Sequence, residues 1–271
     1  MQLVTALFYS ALAGYIVDLG VFTYRVGFAR HSVSPQRWIL YGAFALHTLA
    51  LLSWSFYAKE CPLFTVQGSL WCMAWLTIFI CLILGLRYRL NALEGFAPVL
   101  VIVLMGASAL MQSHILVPLN LPSKMWVSLH AALYFLGYTA FAVTFLSSCI
   151  YLILEYQLKK RHLNIFTGDL GNLVLMDKIQ SVFLRWGVLC LTAGIAIGIG
   201  LLKELRSAWL TTIWTDPKMA VALFTWALYL GLLFVRSTHR LRGRKAAYVS
   251  MAGFALVFIT FLSIHHLEKV F

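Results

Sequence analysis

Eight histidines lie in a chain of 271 residues that is 62% hydrophobic and 11% charged. Neutral imidazole is a ligand for iron, copper and zinc and titrates close to neutral pH, so the placing of these eight decides which chemistry is open. His47, in FALHTLALLSW, and His130, in WVSLHAALYFLGYTAF, stand inside apolar runs, and His265 and His266 end the last one. His114 lies in QSHILVPLN, while His31, His162 and His239 accompany Arg and Lys. A second group of candidates gathers in LLKELRSAWLTTIWTDPK, where Trp209 and Trp214 offer flat apolar faces and Lys203, Arg206 and Lys218 offer cations. A planar ligand, apolar in the middle and acidic at its rim, matches that set. Heme, with an apolar macrocycle and two propionates, is the obvious candidate. The same residues also suit plain helix initiation, with Asp216 as N-cap, Pro217 at the first helical position and the tryptophans in an interfacial belt. Both readings can hold together.

The composition says what must position these side chains. A mean hydropathy of +0.86 is not the balance of a water-facing surface, so the expectation is an integral membrane protein, all-α and polytopic. The net charge of +12 would suggest nucleic acid in a soluble domain; here it reads first as an orientation signal, with the lipid bilayer and no nucleic acid as partner. The five cysteines include no C-x-x-C pair and sit mostly in apolar segments, which sets aside disulfide exchange and zinc. No nucleophile with its base, phosphate loop or metal-carboxylate cluster appears, and the expectation is that the protein is not an enzyme. The start, MQLVTALFYSALAGYIVDLG, has no basic leader and reads as a retained spanning helix.

A span takes roughly 20 apolar residues. Eight are expected, at about residues 2–24, 38–57, 69–87, 95–113, 125–156, 184–202, 219–236 and 246–265, in a single membrane domain covering 1–271. The stretch QLKKRHLNIFTGDLGNLVLMDKIQS reads as a connector with one short helix and a glycine turn. The odd-numbered connections hold fifteen Lys and Arg and the other side six, so the odd connections are expected in the cytoplasm and both termini outside. The tryptophan-containing stretch then falls on the external face.

Three stretches resemble the cytochrome c assembly membrane proteins, a family that includes the CcmC and CcsA heme handlers and the HemX-like and YpjD-like eight-span proteins. DPKMAVALFTWALY, from Asp216 to Tyr229, is similar to the end of that family's tryptophan-rich external loop with its W-D-P-K-E, followed by a helix carrying T-W-x-x-Y. RLRGRKAAYVSMAGFALVFITF is similar to its W-R-G-R-R-A-A run and glycine-containing last helix, and WVSLHAALYFLGYTAF to its W-x-x-x-H segment. Thr215 and Met219 stand where the family has Trp and Glu, Phe234 stands where heme-transferring members carry a histidine, and their G-L-H-S-Y is not present. These departures point to the compact HemX-like or YpjD-like branch.

The resemblance implies a heme-binding protein of a bacterial inner membrane that handles or delivers heme b for cytochrome c maturation, with the heme toward the external face and other maturation or tetrapyrrole-synthesis proteins as partners. Its motif falls on His130 as the histidine for heme iron. His130 lies six residues past Lys124, about 9 Å along a helix; a packing histidine bonded to a carbonyl is the alternative. His47 is expected near the midplane, where an ionisable group marks a site, as a heme-iron ligand or in a hydrogen bond to Ser, Thr or Tyr of another helix. His265 or His266 could complete an external site. Asp18, seven residues before Arg25, suits an ion pair or snorkelling, with a proton relay as the alternative. A HemX-like regulator or assembly partner in tetrapyrrole metabolism is the second reading, and a small-solute or ion transporter, for which Asp18 and His47 speak, is the third.

Overall fold

In the computed structural model, residues 2–25, 37–58, 62–88, 90–110, 124–160, 173–205, 217–238 and 243–267 are described. They form eight long helices: α1 Gln2–Tyr24, α2 Arg37–Ala58, α3 Val66–Tyr88, α4 Asn91–Ala109, α5 Lys124–Lys159, α6 Leu173–Leu205, α7 Pro217–Ser237 and α8 Arg244–Leu267. A short 3-10 turn, Pro62–Phe64, precedes α3. Among the described residues, α1 to α7 are each long and apolar enough to cross a membrane. Their outward surfaces carry Leu3, Ile16, Trp38, Leu52, Phe56 and Leu189, all more than half exposed, a surface suited to lipid. The protein is a polytopic helical membrane bundle.

Two expected spans move. The fourth begins at Asn91, not 95, so Glu94 falls inside the first turn of α4. The sixth begins at Leu173, and the end of the expected polar connector is helical. Its polar Asp177 and Gln180 are bonded to Arg236, which lets this turn join the bundle. Four hydroxyls inside α5 are satisfied locally: Thr139, Thr144, Ser147 and Ser148 each donate to the carbonyl four residues back, which suits a polar group in hydrocarbon.

The chain divides into two compact units, residues 1–121 with 153–176, and residues 122–152 with 177–271. In unit 1, α1 packs on α2 and α4, and α3 on α4. Gly14 allows the first of these contacts, since a Cβ there would lie 2.8 Å from the Cβ of Ala43. Trp71 is the hub of one end: its ring stacks on Phe8 at 4.3 Å, meets Trp54 edge-on, and donates Nε1–H to Ser108 Oγ at 2.7 Å. At the other end Arg37 Nε lies 3.3 Å from Glu94 Oε2.

In unit 2, α6 and α7 each turn a narrow stripe inward, while α5 is buried nearly all round between residues 139 and 148. Gly187, Leu191, Gly194 and Gly198 of α6 are buried at spacings of three and four residues, the repeat that keeps side chains on one helical face. The side chains of α5 fill the space the glycines leave: Phe141 at Gly187, Tyr134 at Gly194 and His130 at Gly198. On α7 the stripe is Thr225, Tyr229, Leu232 and Arg236. Tyr229 stacks flat on Phe141, centroids 3.6 Å apart.

Candidate functional site

His130 sits in the second turn of α5. Its Nδ1 lies 2.8 Å from the carbonyl oxygen of Gly194 on α6. A carbonyl only accepts, so Nδ1 carries a proton, and in the neutral ring Nε2 is then the nitrogen that keeps its lone pair. The ring has little freedom around that bond. A Cβ at Gly198 would stand 2.6 Å from Cε1, and Tyr134, one turn further along α5, holds its ring centroid 4.7 Å from the imidazole. Gly194 in turn seats Tyr134, whose Cδ2 a Cβ would approach to 2.8 Å. The residue is half-buried, and Trp126, one turn toward the start of α5, is 48% exposed. When neutral, this imidazole has a fixed tautomer, with Nε2 not committed to the Gly194 bond, the state in which histidine binds a metal.

His47 is in the middle of α2 and fully buried in unit 1. Its Nδ1 lies 3.3 Å from the hydroxyl of Tyr15 on α1, the interhelical bond to a tyrosine that was one expectation for it, and Nε2 has no hydrogen-bond partner among the described residues. His47 and His130 therefore belong to different units.

Pro217 opens α7, the place its fixed φ suits. Lys218 is the second residue of that helix, and His265 and His266 lie in the last turn of α8; their side chains are outside the described set. Arg206, Trp209, Trp214, Asp216, His31, His114, His162 and His239 lie outside the described residues altogether. Phe234, which stands where heme-transferring members of the resembled family carry a histidine, is 68% exposed.

The remaining motif residues carry the packing of unit 2. Trp226 donates Nε1–H to Thr192 Oγ1 at 2.9 Å, tying α7 to α6. Thr225 and Tyr229, one turn apart, are fully buried with hydroxyls lacking partners among the described residues. Gly243 has φ of 61°, and a Cβ there would stand 2.7 Å from the Tyr151 hydroxyl, so the glycine of R-G-R is required twice over. Sequence reasoning passed over Arg236, a buried cation on Asp177 Oδ1 at 2.6 Å and Gln180 Oε1 at 3.3 Å, and over Glu94. Glu94 had a visible signal, an acid inside an apolar run four residues before Pro98. Among the described residues no three His, Cys, Asp or Glu side chains gather to hold a metal ion.

Residues 37–271 match the family described as Cytochrome C assembly protein. The chain belongs to that family. Among its relatives, a "Cytochrome c biogenesis protein CcsA" of Guillardia theta is 29% identical over 160 residues, covering 53% of this chain and 52% of that one. The chain thus spans about half the length of this relative. "Protein HemX" of Bacillus subtilis (strain 168) is 24% identical over 261 residues, 94% of this chain and 93% of that protein. "Cytochrome c biogenesis protein CcsA" of Mesostigma viride is 26% identical, over 85% and 82%. The family match begins at the first residue of α2, so α1, with Tyr15 and Asp18, stands ahead of it.

Proposed function

We propose that the protein takes part in cytochrome c maturation by binding heme b in unit 2, where His130 would hold the iron. The observation that carries this reading is the bond from His130 Nδ1–H to the Gly194 carbonyl, which leaves Nε2 as the free donor atom. Heme iron takes one or two such imidazoles. The donor chemistry fits: a neutral ring, braced by Gly198 and Tyr134, half-buried near one end of α5. His265 or His266, in the last turn of α8, is the proposed second ligand. On this reading Trp209 and Trp214 would cover the macrocycle, Arg206 and Lys218 would pair with the propionates, and Asp216 would cap α7. The site faces outward across a bacterial inner membrane, as the fifteen-to-six distribution of Lys and Arg supports. Heme supplies the redox-active iron when bound; the chain itself binds, orients and shields it and does no covalent chemistry of its own.

A second reading, a non-transporting HemX-like regulator or assembly partner in tetrapyrrole metabolism, is favoured by the match to HemX over nearly the whole of both chains. The absorption spectrum of the purified protein separates the two. A Soret band with low-spin α and β bands, lost in His130→Ala at unchanged abundance, is the result expected of the heme-binding reading. Folded but colourless wild-type protein would sink it and leave the regulator.

A further inference from the structure

The outward face of α6 has a basic end that neither the heme reading nor the packing of unit 2 uses. At 33 residues α6 is about 50 Å long, more than the roughly 30 Å of hydrocarbon a span has to cross. Counted back from Lys203 at its far end, a span of about 20 residues ends near Leu184. Arg185 and Trp186 therefore stand at the edge of the hydrocarbon, with Lys178 about 10 Å beyond it. Lys178 and Arg185 are two turns apart on one helical face, and both are exposed. Leu189, one turn further along that face, and Trp186 beside it are each 60% exposed.

Arg185 donates Nε–H to the carbonyl oxygen of Ser181, one turn back, at 3.1 Å. The guanidinium is thereby folded out of the hydrocarbon to the level of Ser181, which is three residues from Lys178 and its neighbour on the helix surface. Two cations converge there, and neither has an acidic partner among the described residues. Asp177, the acid of α6 ahead of Lys203, bonds to Arg236 Nη2 on α7 at 2.6 Å and is taken. Like charges that meet on a helix surface repel, so the arrangement is stabilised by an anion between them. Guanidinium and ammonium both donate well to phosphate oxygens. The exposed Trp186 and Leu189 lie on the hydrocarbon side of the two cations, at the depth where acyl chains begin.

We propose that Lys178 and Arg185 hold the phosphate of one anionic phospholipid, with Trp186 and Leu189 against its acyl chains. Charge complementarity selects the headgroup: phosphatidylglycerol presents a net negative charge to the two cations, whereas phosphatidylcholine adds a trimethylammonium of its own. The lipid then lies on the outer side of the same turn that Asp177 and Arg236 tie to α7. The site does not depend on heme at His130.

The test is native mass spectrometry of the full chain in detergent, with dioleoyl-phosphatidylglycerol or dioleoyl-phosphatidylcholine added at equal concentration. Wild-type protein should retain one phosphatidylglycerol with a several-fold preference over phosphatidylcholine. Lys178→Gln and Arg185→Gln should each remove most of that preference. Arg87→Gln, which deletes an exposed cation in the last turn of α3, is the control for net charge and should keep it. Both cations of the site are exposed, so the variants should fold, and unfolding temperature in detergent checks that they do. Equal retention of the two lipids by the wild type overturns the site. So does a preference that survives in both Lys178→Gln and Arg185→Gln, or one lost as fully in Arg87→Gln. Displacement of the lipid by inorganic phosphate would assign the cations to a free anion and overturn it as well.

Discussion

The Nδ1 of His130 and the carbonyl oxygen of Gly194, 64 residues apart in the chain, lie 2.8 Å from each other across α5 and α6. The approach exists because α6 presents glycine at both 194 and 198, so its backbone comes close enough for a carbonyl to reach an imidazole. One bond thereby decides which ring nitrogen is available.

Gly198→Ala tests that relationship without touching the histidine. The added Cβ, 2.6 Å from Cε1, must push the ring off the Gly194 carbonyl, and loss of such a supporting bond lowers metal affinity roughly 10- to 100-fold. Heme titration with abundance as the folding control should show weakened binding for Gly198→Ala and loss for His130→Ala. His47→Ala should leave heme content at the wild-type level; an independent second loss there would assign two hemes.

Arg236 and Asp177 predict a stability effect. Removing one partner of a buried ion pair costs roughly 3–5 kcal/mol, and because the Asp177 side chain is 34% exposed the lower end applies. Thermal unfolding in detergent should show Asp177→Ala clearly destabilised. Replacing both, as Arg236→Met with Asp177→Ala, should recover part of the loss, since no uncompensated guanidinium then remains.

The orientation proposed from basic residues is open to impermeant thiol labelling of cysteines introduced at Trp209 and at Arg242. In intact cells the site at 209 should label and the site at 242 should not. The reverse pattern would invert the bundle and put His130 toward the cytoplasm.

Capping and ligand contact make separable demands on the residues before α7. Asp216→Asn should be nearly silent, because Asn caps about as well. Lys218→Ala should weaken a charge-assisted bond to a propionate worth about 1.5–3 kcal/mol, roughly ten- to a hundredfold in heme affinity, and Trp214→Leu should lower affinity through lost flat contact. Unaltered affinity in both would leave this stretch as a helix start alone.

The spans were readable because the property that makes them is local: about 20 apolar residues in a row cover the hydrocarbon whatever they pack against. Pro217 at the start of α7 and His47 in the middle of α2 follow from the same one-dimensional order. The motifs carried the family for a similar reason, since residues close in sequence such as Thr225, Trp226 and Tyr229 keep their spacing on one helix. The facing of each helix was not readable. A segment apolar all round has no polar stripe to show which side turns inward, so that Tyr15 meets His47, that Glu94 meets Arg37, and that Gly194 offers its carbonyl to His130 were decided only when helices 32, 57 and 64 residues apart came together. Local pattern set where each side chain sits along its helix, and tertiary packing, by choosing the rotation of every helix about its own axis, set which side chain it meets.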